Sequence, residues 1–396
     1  VTGLAYLDHA ATSPMSVSVL DAYTRALREV GNPASTHGHG QRALEVLEGA
    51  RERIAAAVGC DTAELVLTGG GTESINLALK GAYWARQRGG SRPVILVADG
   101  EHHATIEAAE WLRDTQGAEL RWLPLDPSGK LAPATLRDAL GAVGAERVAL
   151  ISFLWANNEI GTVQDVAALC AVASEAGVPV HVDAVAALGQ VALDFSAVGA
   201  DFLSVSAHKI GGPVGVGALV VGRRSTLEPL FHGGSQQRSR SGTQDVAGAV
   251  GFAAALDEVL EAGGNVPDPD HVAHLAGLRD KLVTGIVAAD PTAVYRGAQG
   301  VAERLPGNAH FTFPGCQGDS LVFLLDAAGI SVSVGSACRA GVAETSHVLL
   351  AIGLPETDAA GALRFTLGAA STEAEIDALL EALPAALERA RAAGLS

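Results

Sequence analysis

Between residues 64 and 221, short apolar runs alternate with longer segments of helical period, and this alternation narrows the possible folds more than any other feature. The runs at 64–68, 93–98, 119–123, 148–154, 179–183, 202–206 and 216–221 are strand-length, and helix-like segments at 72–89, 103–115, 133–141 and 165–176 separate them. Such alternation predicts an α/β fold with a parallel or mixed sheet covered on both faces by helices. Upstream, a helix over Ser16–Val30 ends at Gly31, Asn32 and Pro33, and a second over 40–58 closes at Gly59. The opening YLDHAATSP is too broken for more than an arm or edge segment. Past about residue 255 the texture changes. AGGNVPDPDH reads as a linker, and a helix near 270–289 follows. Val322–Leu325, Ser331–Val334 and Leu363–Leu367 are strand candidates, and Glu373–Ala393 is a last helix. The expectation is a large unit of residues 14–255 and a smaller α+β unit of 1–13 and 256–396, with a cleft between them.

Hydrophobic residues make up 48% of the 396, enough for a sizeable core. No apolar run reaches the length of a membrane span and the start shows no signal-peptide pattern, so a soluble, cytoplasmic protein is expected, with no membrane partner. A net charge of -17 argues against nucleic acid as a ligand through bulk electrostatics, while leaving room for local anion sites. Cys60, Cys170, Cys316 and Cys338 are far apart, with no CxxC pair and no zinc spacing. No disulfide framework and no metal site is expected, and one functional thiol remains possible.

The chemistry concentrates at the predicted strand ends. Lys209 follows the run Phe202–Ser206 and precedes a turn rich in glycine (Gly211, Gly212, Gly215, Gly217). Partial burial lowers an amine's pKa and makes it a nucleophile, and the small neighbours leave room for a bulky ligand. Gly69, Gly70 and Gly71, followed by Thr72, sit where a strand turns into a helix, which suits a phosphate. A dinucleotide site is disfavoured because Ser74 stands where the third fingerprint glycine would be. His102 and His103 follow the strand at 93–98. Adjacent histidines point different ways and lack a third ligand, so a flat imidazole stacking on an aromatic cofactor is the better reading than a metal. Asp183 ends the run at 179–183. A carboxylate there needs a cation, no Lys or Arg adjoins it, and a protonated pyridine nitrogen would serve.

YLDHAAT, GNPAS, TGGGTES, EHHA, NNEIGT, HVDA, SVSAHKIGGP, RSGT and GSAC occur in this order. In this pattern the chain resembles the cysteine desulfurases of the NifS/IscS-like group, in the fold-type I, class V aminotransferase superfamily of enzymes that use pyridoxal 5'-phosphate (PLP). The resemblance spans nearly the whole chain and implies a homodimer with the cofactor near the subunit interface. It implies that Lys209 carries PLP as a Schiff base, that Asp183 pairs with the pyridine nitrogen and that His102 stacks on the ring. Gly71, Thr72, Ser206 and His208 would hold the phosphate, joined by Thr243 from the partner subunit. Asn158 would face the ring hydroxyl or the substrate amine, and Asn32 and Arg364 would bind the substrate carboxylate. Cys338, in the small-residue run SVGSACRAG, reads as lying on a mobile loop of about 333–345 and would accept sulfur, with Arg339 favouring its thiolate.

The implied reaction converts L-cysteine to L-alanine and leaves a persulfide on Cys338. The sulfur would pass to an acceptor such as an iron–sulfur scaffold or a tRNA-thiolation protein. Two departures from the family pattern stand out: Ala186 in place of a common Gln, and Arg339 in place of a small residue. They keep open a selenocysteine lyase or another PLP-dependent tailoring enzyme. A non-catalytic sulfur-relay partner is a third alternative, which intact Lys209, Asp183 and Cys338 disfavour.

Overall fold

The computed structural model describes residues 5–335 and 345–394. After the edge strand β1 (Ala5–Tyr6) come β2 (Leu65–Thr68), β3 (Val94–Ala98), β4 (Glu119–Leu123) and β5 (Val148–Leu154). β6 (Val180–Asp183), β7 (Phe202–Ser206) and β8 (Gly217–Val221) complete a seven-stranded sheet of order β2-β8-β7-β6-β5-β3-β4. The sheet is mixed. β8 runs antiparallel to both β2 and β7, while β4, β3, β5, β6 and β7 are mutually parallel. Every residue of β5 is buried, as a central strand covered on both faces requires, and β4 at the edge keeps exposed positions. The helices Gly71–Gln87 and His103–Gln116 pack one face, and Gly38–Val58, Val166–Glu175 and Val246–Val259 cover the other.

A second group of buried side chains surrounds an antiparallel sheet of β9 (Val294–Tyr295), β10 (Asn308–Thr312) and β12 (Ala362–Thr366), with β10 central. Its core draws on Phe311, Phe365, Leu282 and Leu383, the last two from the helices Pro269–Ala289 and Glu373–Gly394. Each such fully buried side chain contributes about 1.5–3 kcal/mol. β1 joins this region by pairing in parallel with β11 (Ile330–Ser331), so the N-terminal arm is indeed an edge strand.

The structure corrects the reading of Val322–Leu325 as a strand: it lies within the helix Gly318–Ala327. In a strand Leu321, Phe323 and Leu325 would share one face. Here Leu321 and Leu325 are fully buried while Phe323 is 72% exposed, a four-residue repeat that only a helix satisfies. The helix expected over Ser16–Val30 is shorter, Val17–Ala26, with Ser16 capping its start by accepting from the Val19 N–H at 3.2 Å. The helix Val246–Val259 gave no periodic signal because it is apolar all round and lies between two other helices, Val17–Ala26 and Gly38–Val58. Glycine is required within it: a Cβ at Gly251 would lie 2.5 Å from the Pro213 ring.

His310, on β10, is completely buried, and neither ring nitrogen has a hydrogen-bond partner among the described residues. Burial, reinforced by Arg364, Arg304 and Arg296, pushes its pKa down to about 3. The unfolded chain therefore takes up a proton near pH 6.5 that the folded chain refuses. The stability contribution is full above 6.5 and is lost as pH falls towards 3. We predict that His310→Leu removes about 2 kcal/mol of the stability lost between pH 7 and pH 5. Denaturant unfolding at the two pH values checks this, and an unchanged pH dependence in the variant would refute it.

Candidate active site

The parallel strands deliver their polar ends to one edge of the sheet, and the edge opens on a cleft of about 620 Å³. Glu101, Asp183 and Ser206 reach it from β3, β6 and β7, and Arg364 reaches it from β12 in the second sheet. Ligands of open α/β sheets bind at this carboxyl edge. The cleft therefore lies where the two packed regions meet.

Lys209 sits in a short 3-10 turn, Ala207–Ile210, directly after β7. Its Nζ donates to the carbonyls of Ala10 at 2.6 Å and Ala11 at 3.0 Å. Burial, then Arg364, lowers its pKa to about 8, while Asp183 and Asp8 oppose the shift. Asp183 is 2% exposed and its Oδ1 accepts from the Val185 N–H at 2.9 Å. Burial raises its carboxyl to about 6 against the lowering effects of that N–H and of Lys209. No basic residue adjoins Asp183 in sequence, yet the fold brings Lys209 within electrostatic reach.

Ser206 supplies a sharper clue. Its hydroxyl is buried and has no hydrogen-bond partner among the described residues. Beside it the helix Gly71–Gln87 begins, its cap residue Gly70 at φ 136° and no side chain capping its first N–H groups. A Cβ at Gly70 would lie 3.9 Å from Ser206 Oγ, and one at Gly71 would strike Val185 at 2.8 Å. Helix-start N–H groups without a side-chain cap and a buried hydroxyl without a partner among the described residues, kept open by glycine, are the donor set that a phosphate requires. Thr72 lies in the first turn of that helix, and His208 lines the same cleft, 3.3 Å from the Thr12 hydroxyl through Nδ1. His208 is pushed down to about 4 by burial and by Lys209.

His102 caps the helix His103–Gln116 by accepting from the Ala104 N–H at 3.1 Å. Its ring is open to the cleft but enclosed by protein around it. That enclosure, then Lys209, pulls it down to about 4 and keeps the imidazole neutral. Arg364 donates to the Asn158 carbonyl at 3.0 Å and to Asp8 Oδ1 at 2.8 Å, and its buried Nε–H has no partner among the described residues. Asn158 and Ala186 both line the cleft.

The structure thus brings together Lys209, Asp183, Ser206, His208, Gly71, Thr72, His102, Asn158 and Arg364. Asn32 is not among them: it is exposed, and its side chain accepts from the Ala34 N–H at 2.9 Å. Thr243 is exposed and likewise outside the cleft of this chain. Cys338 and Arg339 lie outside the described residues. Sequence reasoning missed Asp8 and the Ala10 and Ala11 carbonyls. The run YLDHAAT was a signal for them, but nothing in it shows which distant side chains it meets.

The Aminotransferase class-V family profile matches residues 5–379. The chain is 48% identical over 395 residues to the IscS-like cysteine desulfurase of Mycobacterium tuberculosis, covering 99% of this chain and 98% of that protein. Among solved structures it resembles a NifS-like protein, with TM-score 0.86, 32% identity and coverage of 98% and 100% of the two chains. It also resembles SspA in complex with cysteine, with TM-score 0.77, 29% identity and coverage of 93% and 99%.

The lowered Lys209 amine is directly measurable. In the cofactor-free protein, acetylation of Lys209 as a function of pH is predicted to rise with a midpoint near 8. Arg364→Leu is predicted to move the midpoint upward, because a neighbouring cation disfavours the ammonium form. Quantitative peptide mass spectrometry reads both, and a wild-type midpoint above 10 would contradict the burial argument.

Proposed function

Because the chain belongs to the class-V aminotransferase family, we propose that it is a PLP-dependent cysteine desulfurase, producing L-alanine and an enzyme persulfide from L-cysteine. The observation that carries this reading is the Ser206 hydroxyl, without a partner among the described residues, at a helix start that no side chain caps, on the same sheet edge as Asp183 and Lys209.

The donor set fits the cofactor. Gly71, Thr72, Ser206 and His208 would hold its phosphate, Asp183 its ring nitrogen, His102 a ring face and Lys209 its aldehyde carbon. In a homodimer, Thr243 of the partner subunit would join the phosphate site. Bound there, PLP supplies an electron sink for negative charge at the substrate Cα.

Lys209 is the base for the Cα proton. With a pKa near 8 a useful fraction of its amine is neutral at physiological pH, and general-base catalysis works best when the pKa lies near the working pH. Asp183, held as a carboxylate by a positive partner, keeps that partner protonated. Arg364 would orient the substrate through its carboxylate and Asn158 would face the ring hydroxyl or the substrate amine, while Asn32 lies outside the cleft of the chain. Cys338 attacks the substrate sulfur as a thiolate. The Cβ–S bond breaks, an S–S bond forms and Cβ takes a proton, so cysteine plus thiol becomes alanine plus persulfide with no external oxidant.

The other thiols are poorly suited to that attack. Burial is the first cause that pushes Cys60 and Cys170 up to about 12, and it raises Cys316 as well, so all three stay protonated. Sulfur passes from Cys338 to an acceptor protein, such as an iron–sulfur scaffold or a tRNA-thiolation factor. Among the described residues no helix is long and apolar enough to cross a membrane.

Alanine and sulfide release from L-cysteine in the presence of a thiol reductant is the direct test, with L-selenocysteine run beside it. A chain that releases alanine only from selenocysteine would overturn the assignment in favour of a selenocysteine lyase. Cys338→Ser is predicted to keep the cofactor's absorbance and to form no persulfide. Isotopically labelled sulfur on Cys60, Cys170 or Cys316 in that variant would show that the acceptor thiol is another. Ser206→Ala is predicted to weaken PLP binding roughly 10- to 100-fold, the value of one hydrogen bond to a charged group. Equilibrium dialysis of PLP against the cofactor-free protein measures it, and an unchanged affinity would remove Ser206 from the phosphate site.

A further inference from the structure

Glu159 belongs to the run NNEIGT, and none of the roles described so far uses it. It is 2% exposed, and its backbone is fixed on both sides. Its N–H donates to Asn157 Oδ1 at 2.9 Å, and its carbonyl accepts from Asn308 Nδ2 at 3.1 Å. A carboxylate so buried is costly unless something particular receives it. What receives it is the hydroxyl of Ser346, which donates to Glu159 Oε2 at 2.5 Å.

The same oxygen faces a second stretch of chain. Gly335 is at φ 90°, and a Cβ built on it would lie 3.3 Å from Glu159 Oε2. Gly335 and Ser346 flank the segment that contains Cys338, so the chain leaves that oxygen and returns to it, as in loops whose ends are held close. Both flanks are also tied to the site. On the leading side, Ser333 exchanges backbone hydrogen bonds with Arg364 at 3.3 and 2.7 Å, and its Oγ accepts from the Gly335 N–H at 3.0 Å. On the trailing side, Ser346 Oγ caps the next helical turn by accepting from the Leu349 N–H at 3.2 Å, and His347 Nε2 lies 2.8 Å from the Glu101 carbonyl.

We propose that Glu159 is a positioning residue for sulfur transfer: its buried carboxylate anchors Ser346, at the trailing end of the Cys338-bearing segment, and lies against Gly335 at the leading end, in the turn after β5 that also carries Asn158. This rests on the reading of Cys338 as the sulfur acceptor. Asn158 and Glu159 are consecutive, so one backbone turn sets both the substrate side and the base of the thiol's segment. Burial raises the Glu159 pKa, and the Ser346 hydroxyl is the first interaction that lowers it again, consistent with a carboxylate supported by this contact.

The test uses the PLP-loaded homodimer or whatever oligomer the purified protein forms, with Glu159→Ala, Glu159→Gln, Ser346→Ala and Cys338→Ser compared with wild type. Glu159→Ala is expected to lower kcat for alanine formation at least tenfold while KM for cysteine stays within about twofold. The absorbance change of the cofactor on adding cysteine is expected to keep its wild-type rate. Glu159→Gln, which keeps an acceptor oxygen for Ser346, is expected to recover most of kcat. The rate of Cys338 alkylation by iodoacetamide, followed by mass spectrometry in the cofactor-free protein, is expected to change severalfold in Glu159→Ala and to return towards wild type in Glu159→Gln. If Glu159→Ala does not fold, Ser346→Ala carries the test with the same direction of change. A kcat within twofold of wild type in the folded variants, with Cys338→Ser inactive, would overturn this inference and leave the desulfurase reading standing. A raised KM at unchanged kcat would overturn it too, assigning Glu159 to substrate binding. Persulfide formation in Cys338→Ser would overturn the sulfur-acceptor reading and this inference with it.

Discussion

A carboxylate and an amine withdrawn from water at the ends of neighbouring strands set the terms for the rest of the cleft. Asp183 ends β6, and Lys209 follows β7, its parallel neighbour. Each is moved towards its neutral form, Asp183 to about 6 and Lys209 to about 8, because removing an ion from water costs several kcal/mol even after relaxation. What support they have is mostly backbone: the Val185 N–H for the carboxylate, the Ala10 and Ala11 carbonyls for the amine.

The sheet supports the pair by giving one side of β6 to polar groups. Val180 and Val182 point to one face, and His181 and Asp183 to the other. His181 is buried between the hydroxyls of Ser152 on β5 at 2.9 Å and Ser204 on β7 at 2.8 Å, and burial drives it down to about 3. The neutral ring uses both nitrogens, so no unpaired polar atom lies beneath Asp183 on that strand. Satisfied networks of this kind are rigid, and rigidity suits a strand that has to aim a carboxylate.

Much of this was legible before any coordinates. Strand–helix alternation predicted the central sheet, since a buried strand and an amphipathic helix leave different periodicities. The strand-end positions of Asp183, Ser206 and Lys209 followed from where the apolar runs stop. What stayed illegible depends on partners far apart in sequence. Nothing near Glu159 announces Ser346, and nothing near Asp8 announces Arg364. The misread stretch Val322–Leu325 failed for another reason. Four apolar residues carry no period by themselves, and the buried repeat needed Leu321 as well to show itself as helical.

The N-terminal arm has a consequence for how the chain acquires its active form during synthesis. Ala10 and Ala11, whose carbonyls hold Lys209, are themselves fixed by the far end of the chain: the Ala10 N–H donates to Thr366 Oγ1 at 2.8 Å, and Asp8 bridges to Thr366. Asp8 and Ala10 therefore gain these partners only once β12 has been made. A ribosome emitting the chain from its N-terminus can complete the central sheet through β8, and Lys209 with it, well before the lysine's carbonyl cradle or the Asp8–Arg364 ion pair can form. Contacts of such sequence separation form late, after the loop between them has been closed. The cleft is therefore complete only when the two ends of the chain meet.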